Sequence, residues 1–189
     1  MTAITISRQL GSLGTQVAEI VGEYLGYRVV WRELINEAGR RAGAGETALA
    51  AIDDLGLLGV RPSLRAHRAY RTAMAQVMYE LVEAGEVIIV GRAGQAILHA
   101  APCVLHARVI APFDVRVERV ATRHSVPQQA ARIQVETSDR SRRDYLRRFY
   151  HVRWDDPELY DIVINTARYT AEAAADLICE SVAWLKQRH

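Results

Sequence analysis

With 189 residues, 50 % hydrophobic and 24 % charged, the chain can bury one sizeable core and lacks the polar bias of a disordered protein. A net charge of +2 excludes a globally basic nucleic-acid surface, so an anion site has to come from arginines placed locally. No apolar run approaches the ~20 residues of a membrane span, no basic-then-apolar leader opens the chain, and Cys103 and Cys179 lie far apart without metal-ligand spacing; they read as buried thiols of a cytoplasmic protein.

The apolar patterning alternates between two periods. Residues 2–6 predict a strand, 14–25 a helix and 27–31 a short second strand. The stretch 32–58 predicts two short helices broken by "RAGAGET". Pro62-Ser63 opens a long helix with Met74, Val77, Met78, Leu81 and Val82 on one stripe, closed by Gly85. "EVIIVG" at 86–91 is continuously apolar, as a strand covered on both faces should be. A helical turn over 92–99, a strand over 103–111, a helix from Pro112 and a polar, arginine-rich helix over 127–150 follow. "DIVIN" at 161–165 is the last strand, and 170–187 the last helix. Five strands alternating with helices predict a three-layer α/β fold around a parallel five-stranded sheet with right-handed crossovers. Two regions fit the alternation poorly, 32–62 and 124–156. Both fall where an open α/β sheet places its ligand, beyond the strand carboxyl ends.

"SRQLGSLGTQ" lies between the first strand and the first helix. Gly11 and Gly14 let backbone N–H groups converge at a helix N-terminus and form an anion nest, with Ser12 in the same loop. Thr15 stands where the hydroxyl of a phosphate loop would meet Mg²⁺. The lysine of the G-x-x-x-x-G-K-[ST] pattern is missing, and Gly14 occupies its place. Arg8 is the one cation in the loop, and its fork suits phosphate. A plain strand-to-helix turn with a solvated arginine explains the loop equally well. Arg92 follows the third strand directly. Arg116, Arg119 and Arg123 share a helix at i, i+3 and i+4 spacings, where like charges call for an anion between them or for solvent. Six arginines lie at 140, 142, 143, 147, 148 and 153, and Asp139 with Arg142 could present a carboxylate and a guanidinium to one polar ligand.

Six segments in order, "ITISRQLGSLGTQVAE", "RELINEAGRRAG", "GEVIIVGRAGQAIL", "APFDVRVERVATR", "DRSRRDYLRRFY" and "WDDPELYDIVINT", resemble the cytidylate kinase-like family, relatives of the nucleoside monophosphate kinases. The resemblance implies a P-loop kinase fold in one domain. Its core would be 1–31, 63–123 and 157–189, with an NMP-binding insert at about 32–62 and a helical lid with its following helix at about 124–156. It implies ATP with Mg²⁺ on Gly11, Ser12, Gly14 and Thr15, and the monophosphate on Arg92. Arg119 and Arg123 would serve the lid; Arg8 is expected as a further catalytic cation from its own place in the loop, not from the resemblance. Asp139 and Arg142 would read the base, and Asn165, before Thr166, would lie near the adenine edge. The chain departs from the family pattern at Gly14, at Ala93 and Trp31 where aspartates are expected, and at Val135 where an arginine is expected.

The reaction so implied moves the ATP γ-phosphoryl to a nucleoside monophosphate such as CMP or a similar small acceptor, in a cytoplasmic protein that is not a membrane protein; homodimerisation stays open. One alternative is a weak or inactive nucleotide-binding sensor. The other is an RNA-binding protein that uses the 140–153 arginines with Tyr145, Phe149, Tyr150 and Trp154 as stacking groups. It ranks last, because the arginines follow a lid-like pattern and net charge is low.

Overall fold

The computed structural model describes residues 2–43 and 64–187. In chain order these form β1 (Ala3–Arg8), α1 (Gly14–Leu25), β2 (Arg28–Val30), α2 (Arg32–Arg41), α3 (Leu64–Ala84), β3 (Val87–Val90), α4 (Gly94–Ile97), β4 (Val104–Ile110), α5 (Phe113–His124), α6 (Gln128–Tyr150), a 3₁₀ turn (Pro157–Leu159), β5 (Ile162–Asn165) and α7 (Ala171–Gln187). The second of the two short helices expected in 32–58 and most of the expected insert lie outside the described residues.

All five strands are parallel, in the order β2-β3-β1-β4-β5. Strand alternation builds two cores. Ile4, Ile6, Ile88, Val90, Leu105, Ala107 and Val109 face α1 and α7, where Val17, Val21, Ala174 and Ile178 meet them. Ala3, Val87, Ile89 and Val104 face the other way, onto Leu34, Tyr70, Met74 and Met78 of α2 and α3. The three central strands, β3, β1 and β4, are therefore buried on both sides, which is why they read as largely apolar runs, while the edge strands β2 and β5 expose Arg28 and Val163. The fold is the expected three-layer α/β sheet.

The second face carries a polar run toward the strand ends. The Thr5 hydroxyl and His106 Nδ1 lie 2.7 Å apart and share a hydrogen bond. Ser7 stands beside Arg108 in the β1–β4 register. Gly85, at φ 76°, ends α3 by donating its N–H to Leu81 O at 3.0 Å, as a helix-closing glycine should. Cys103 and Cys179 are free and half-buried, not fully buried as expected. Among the described residues, no helix is long and apolar enough to cross a membrane.

Candidate functional site

The loop after β1 is shaped by its own backbone. Gln9 N–H donates to Val109 O (3.2 Å), and Gln9 Oε1 accepts the Ala111 N–H (3.0 Å), so the chain stays tied to β4 for one residue beyond the strand. Ser12 then closes the turn, donating its N–H (3.3 Å) and its Oγ (2.9 Å) to Gln9 O. Gly11 sits at φ 80°, and a Cβ there would stand 2.6 Å from Arg116 O, so only glycine fits. Leu13 takes the left-handed conformation at φ 64° immediately before α1, at a cost of roughly 1–2 kcal/mol for a residue with a Cβ. Strain of this kind persists where surrounding structure over-determines it, commonly at functional sites. α1 has no side-chain N-cap and no acidic residue in its first turn. Its leading N–H groups have no partner within the helix, and an anion complements them.

Arg8 runs across this helix start. A Cβ on Gly14 would fall 2.4 Å from Arg8 Cβ and 3.1 Å from its Cγ. A Cβ on Gly91 would fall 2.2 Å from Arg8 Nη1. The side chain thus leaves β1, crosses Gly14 and brings its guanidinium against the end of β3. A side chain at Gly14, where a phosphate loop carries its lysine, would meet the stem of Arg8 as that stem runs here.

Beyond β3, Gly91, Arg92 and Ala93 are all left-handed, at φ 77°, 54° and 58°. The turn closes with Gly94 N–H on Gly91 O (3.0 Å), while Gly91 N–H donates to Ile6 O (3.0 Å). Two consecutive residues with side chains in this region add further strain, and the turn sets Arg92 on the cavity wall.

The three arginines of α5 part company. Arg116 is buried. It donates Nη1 and Nη2 to the two carboxylate oxygens of Asp139 (3.2 and 2.8 Å), Nε to Ala111 O (3.0 Å) and Nη1 to Leu10 O (3.3 Å). This pair joins α5, α6 and the glycine loop. Arg119 donates to Gly11 O (3.3 Å), Thr166 Oγ1 (3.0 Å) and Thr166 O (2.7 Å), and Thr166 Oγ1 donates to Ser12 O (2.9 Å). Arg123 stays exposed at the cavity rim. α6 is one helix of 23 residues. Val117, Val120, Ala131 and Val135 form the seam that packs it on α5.

The cavity between these elements measures about 1280 Å³, more than the ~300–1000 Å³ of a typical single-ligand pocket. Its lining brings together Arg8, Gly11, Gly14, Thr15, Arg92, Arg119, Arg123 and Arg142. Five arginines face it against two carboxylates, Glu19 and Glu118, so its field favours a multiply charged anion. Three of the sequence-derived residues lie off this lining among the described residues. Ser12 is fully buried in its turn. Asp139 is taken up by Arg116. Asn165 Oδ1 accepts the Ala167 N–H at 3.0 Å.

Of the six arginines in 140–153, only Arg142 lines the cavity. Trp154, counted among the stacking aromatics, is 4 % exposed and donates Nε1 to Ser7 Oγ at 3.0 Å. The guanidinium carbons of Arg108 and Arg142 lie 4.5 and 5.9 Å from the centre of its ring. Arg108 is the functional-looking residue that the sequence reading passed over. It is buried, donates to Trp154 O and to Tyr160 Oη (2.9 Å), and lies 5.1 Å from the Tyr160 ring. The signal was present: His106 and Arg108 are two apart in "CVLHARVIA", so they share one face of an otherwise apolar strand. Burial pushes the His106 imidazole below its ordinary range, and burial raises the Tyr150 phenol.

A parallel sheet in this strand order, entered through a glycine turn that aims a helix N-terminus at the strand ends, defines a P-loop kinase fold. The sequence pattern of the cytidylate kinase-like family matches residues 3–168, and the chain belongs to that family. A cytidylate kinase from Methanothermobacter thermautotrophicus is 32 % identical over 173 residues, covering 90 % of this chain and 99 % of its own. One from Methanocaldococcus jannaschii is 22 % identical over 191 residues, covering 97 % and 99 %. A solved protein of Eubacterium ventriosum superposes with a TM-score of 0.75 at 23 % identity, over 97 % of this chain and 99 % of its own. Shikimate kinase from Acinetobacter baumannii superposes at 0.55 and 18 % identity, over 97 % and 93 %. Both likenesses are of fold.

Proposed function

We propose that this protein transfers the γ-phosphoryl group of ATP to a nucleoside monophosphate such as CMP, with Arg8 as the cation at the β/γ-phosphates. The observation that carries this reading is the path of Arg8 across Gly14 to Gly91, which sets a guanidinium between the glycine loop and the end of β3. Phosphoryl transfer asks for in-line positioning and cations around the moving group, with little covalent chemistry from the protein. The first-turn N–H groups of α1 cradle phosphate oxygens. Arg8 forks onto two of them. Arg92 holds the acceptor's phosphate, and Arg119 and Arg123 cover the nucleotide from α5. The groups that fit Mg²⁺ carried in on ATP are the Thr15 hydroxyl and the Glu19 carboxylate one helical turn on, both on the cavity wall. The ion would neutralise phosphate charge there and keep much of its water.

The test is nucleotide binding by the full chain and its Arg8 variants. Arg8→Ala weakens ATP more than CMP, and Arg8→Lys restores part of the loss, because lysine supplies charge without the fork. Equal ATP affinity in wild type and Arg8→Ala removes Arg8 from the site. One observation favours a second reading, a slow or inactive nucleotide sensor: Val90, Gly91, Arg92 and Ala93 bring no carboxylate to the end of β3. ATP bound tightly with no turnover on any monophosphate supports that reading.

A further inference from the structure

The register of α6 separates two residues that the resemblance treats as a pair. Val135 and Asp139, one turn apart, face α5, where the first enters the apolar seam and the second binds Arg116. Gln134, Ser138 and Arg142 occupy the i, i+4 and i+8 positions of the neighbouring face, and all three line the cavity. Ser138 supplies an independent sign that this face receives a ligand. It is 2 % exposed, and its Oγ is buried with no hydrogen-bond partner among the described residues. A buried hydroxyl left in that state costs free energy that a ligand atom can recover.

The stripe also has a direction. Arg142 lies over Trp154, whose indole is tied to Ser7 at the end of β1, so this end of the stripe is near the strand ends where phosphate belongs. Gln134 lies eight residues away, about 12 Å along the helix. That span matches the reach from the phosphate of a mononucleotide to the far edge of its base, and it exceeds a small hydroxy acid. We propose that the acceptor is read by the Gln134–Ser138–Arg142 stripe, and that the stripe takes pyrimidine monophosphates with little discrimination between cytosine and uracil. The inference rests on the reading above that a mononucleotide is the acceptor.

The weak discrimination follows from donor and acceptor chemistry. Cytosine offers an amino donor where uracil offers a carbonyl acceptor. A carboxylate fixed at that point only accepts, so it selects cytosine. The carboxylate able to do this from α6, Asp139, is consumed by Arg116. The Gln134 amide both donates and accepts, and by turning over it serves either base. Ser138, as a hydroxyl, is equally indifferent.

The experiment is calorimetric titration of the full chain with CMP and with UMP, for wild type, Ser138→Ala and Gln134→Glu, with ATP titrated alongside. Wild type should bind the two monophosphates within about tenfold of each other. Ser138→Ala should weaken both by roughly tenfold, the loss of one hydrogen bond to a buried partner. Gln134→Glu installs a fixed acceptor and should shift the ratio toward CMP by at least about tenfold. Unchanged affinity for both monophosphates in Ser138→Ala overturns the inference, since the hydroxyl is then turned onto its own helix. A wild-type preference for CMP above about 100-fold overturns it as well, because an amide does not reject an exchanged donor and acceptor that strongly. If wild type binds ATP but neither monophosphate, the mononucleotide reading itself fails and takes this inference with it.

Discussion

Asp139→Ala separates two accounts of the same residue. If Asp139 reads the base, the substitution costs ligand affinity and little stability. The structure assigns it to a buried ion pair, with 4 % of the Arg116 side chain and 11 % of the Asp139 side chain exposed. Truncation leaves the Arg116 guanidinium buried with two carbonyls, Ala111 O at 3.0 Å and Leu10 O at 3.3 Å, and no counter-charge. Removing one partner of such a pair costs about 3–5 kcal/mol. For a chain of this length each kcal/mol lowers Tm by roughly 2–4 °C, so a fall of about 6–20 °C is expected by scanning calorimetry. Replacing both partners with apolar residues, as in Arg116→Met with Asp139→Leu, should recover most of the loss, because no charge is then stranded. The reasoning is refuted if Asp139→Ala keeps the wild-type Tm while CMP binding collapses.

Gly14→Ala places a Cβ 2.4 Å from Arg8 Cβ and 3.2 Å from Val109 Cβ; it should destabilise the fold by about 1–3 kcal/mol and, by displacing Arg8, weaken ATP binding, both read from thermal unfolding with and without ATP. Gly11→Ala meets Arg116 O at 2.6 Å and should likewise lose ATP affinity, whereas Gly43→Ala, where no described residue lies within 4 Å, should leave it intact. His106, held below its ordinary pKa by burial, contributes stability that is present above the unfolded value of about 6.5 and is lost as pH falls through the lower folded value. A urea titration at pH 7 and at pH 5 should therefore show a smaller acid loss for His106→Gln than for wild type, and equal losses would remove His106 from the acid response.

The sequence made the architecture legible because both faces of the central strands are buried. "EVIIVG" reads as a strand covered on both faces and is one, "DIVIN" is an edge strand that leaves Val163 exposed, and the α1 bounds follow from Gly14 and Gly26. The glycine loop was legible as a shape but not as a mechanism. Nothing in "SRQLGSLG" says that Arg8 would lie over Gly14, because the contact is made across a turn whose left-handed Leu13 has no sequence signature. Asp139 and Arg142 looked like one recognition pair at i, i+3 spacing. Their separation depends on which face of α6 meets α5, and that was decided by Ala131 and Val135 packing on Val117 and Val120. Arg108 was hidden by its strand: an apolar run absorbs a buried arginine only when carbonyls and aromatic rings such as Trp154 and Tyr160 surround it, and those come from about fifty residues farther along the chain.

Phosphorus NMR of the full chain with Mg-ATP and a set of monophosphates tests the central claim most directly. The account predicts loss of the ATP γ-phosphorus signal with matching growth of ADP and of a pyrimidine diphosphate, dependent on the added monophosphate and strongly reduced in Arg8→Ala. ATP that binds yet stays intact beside every monophosphate, with wild type and Arg8→Ala indistinguishable, would contradict it.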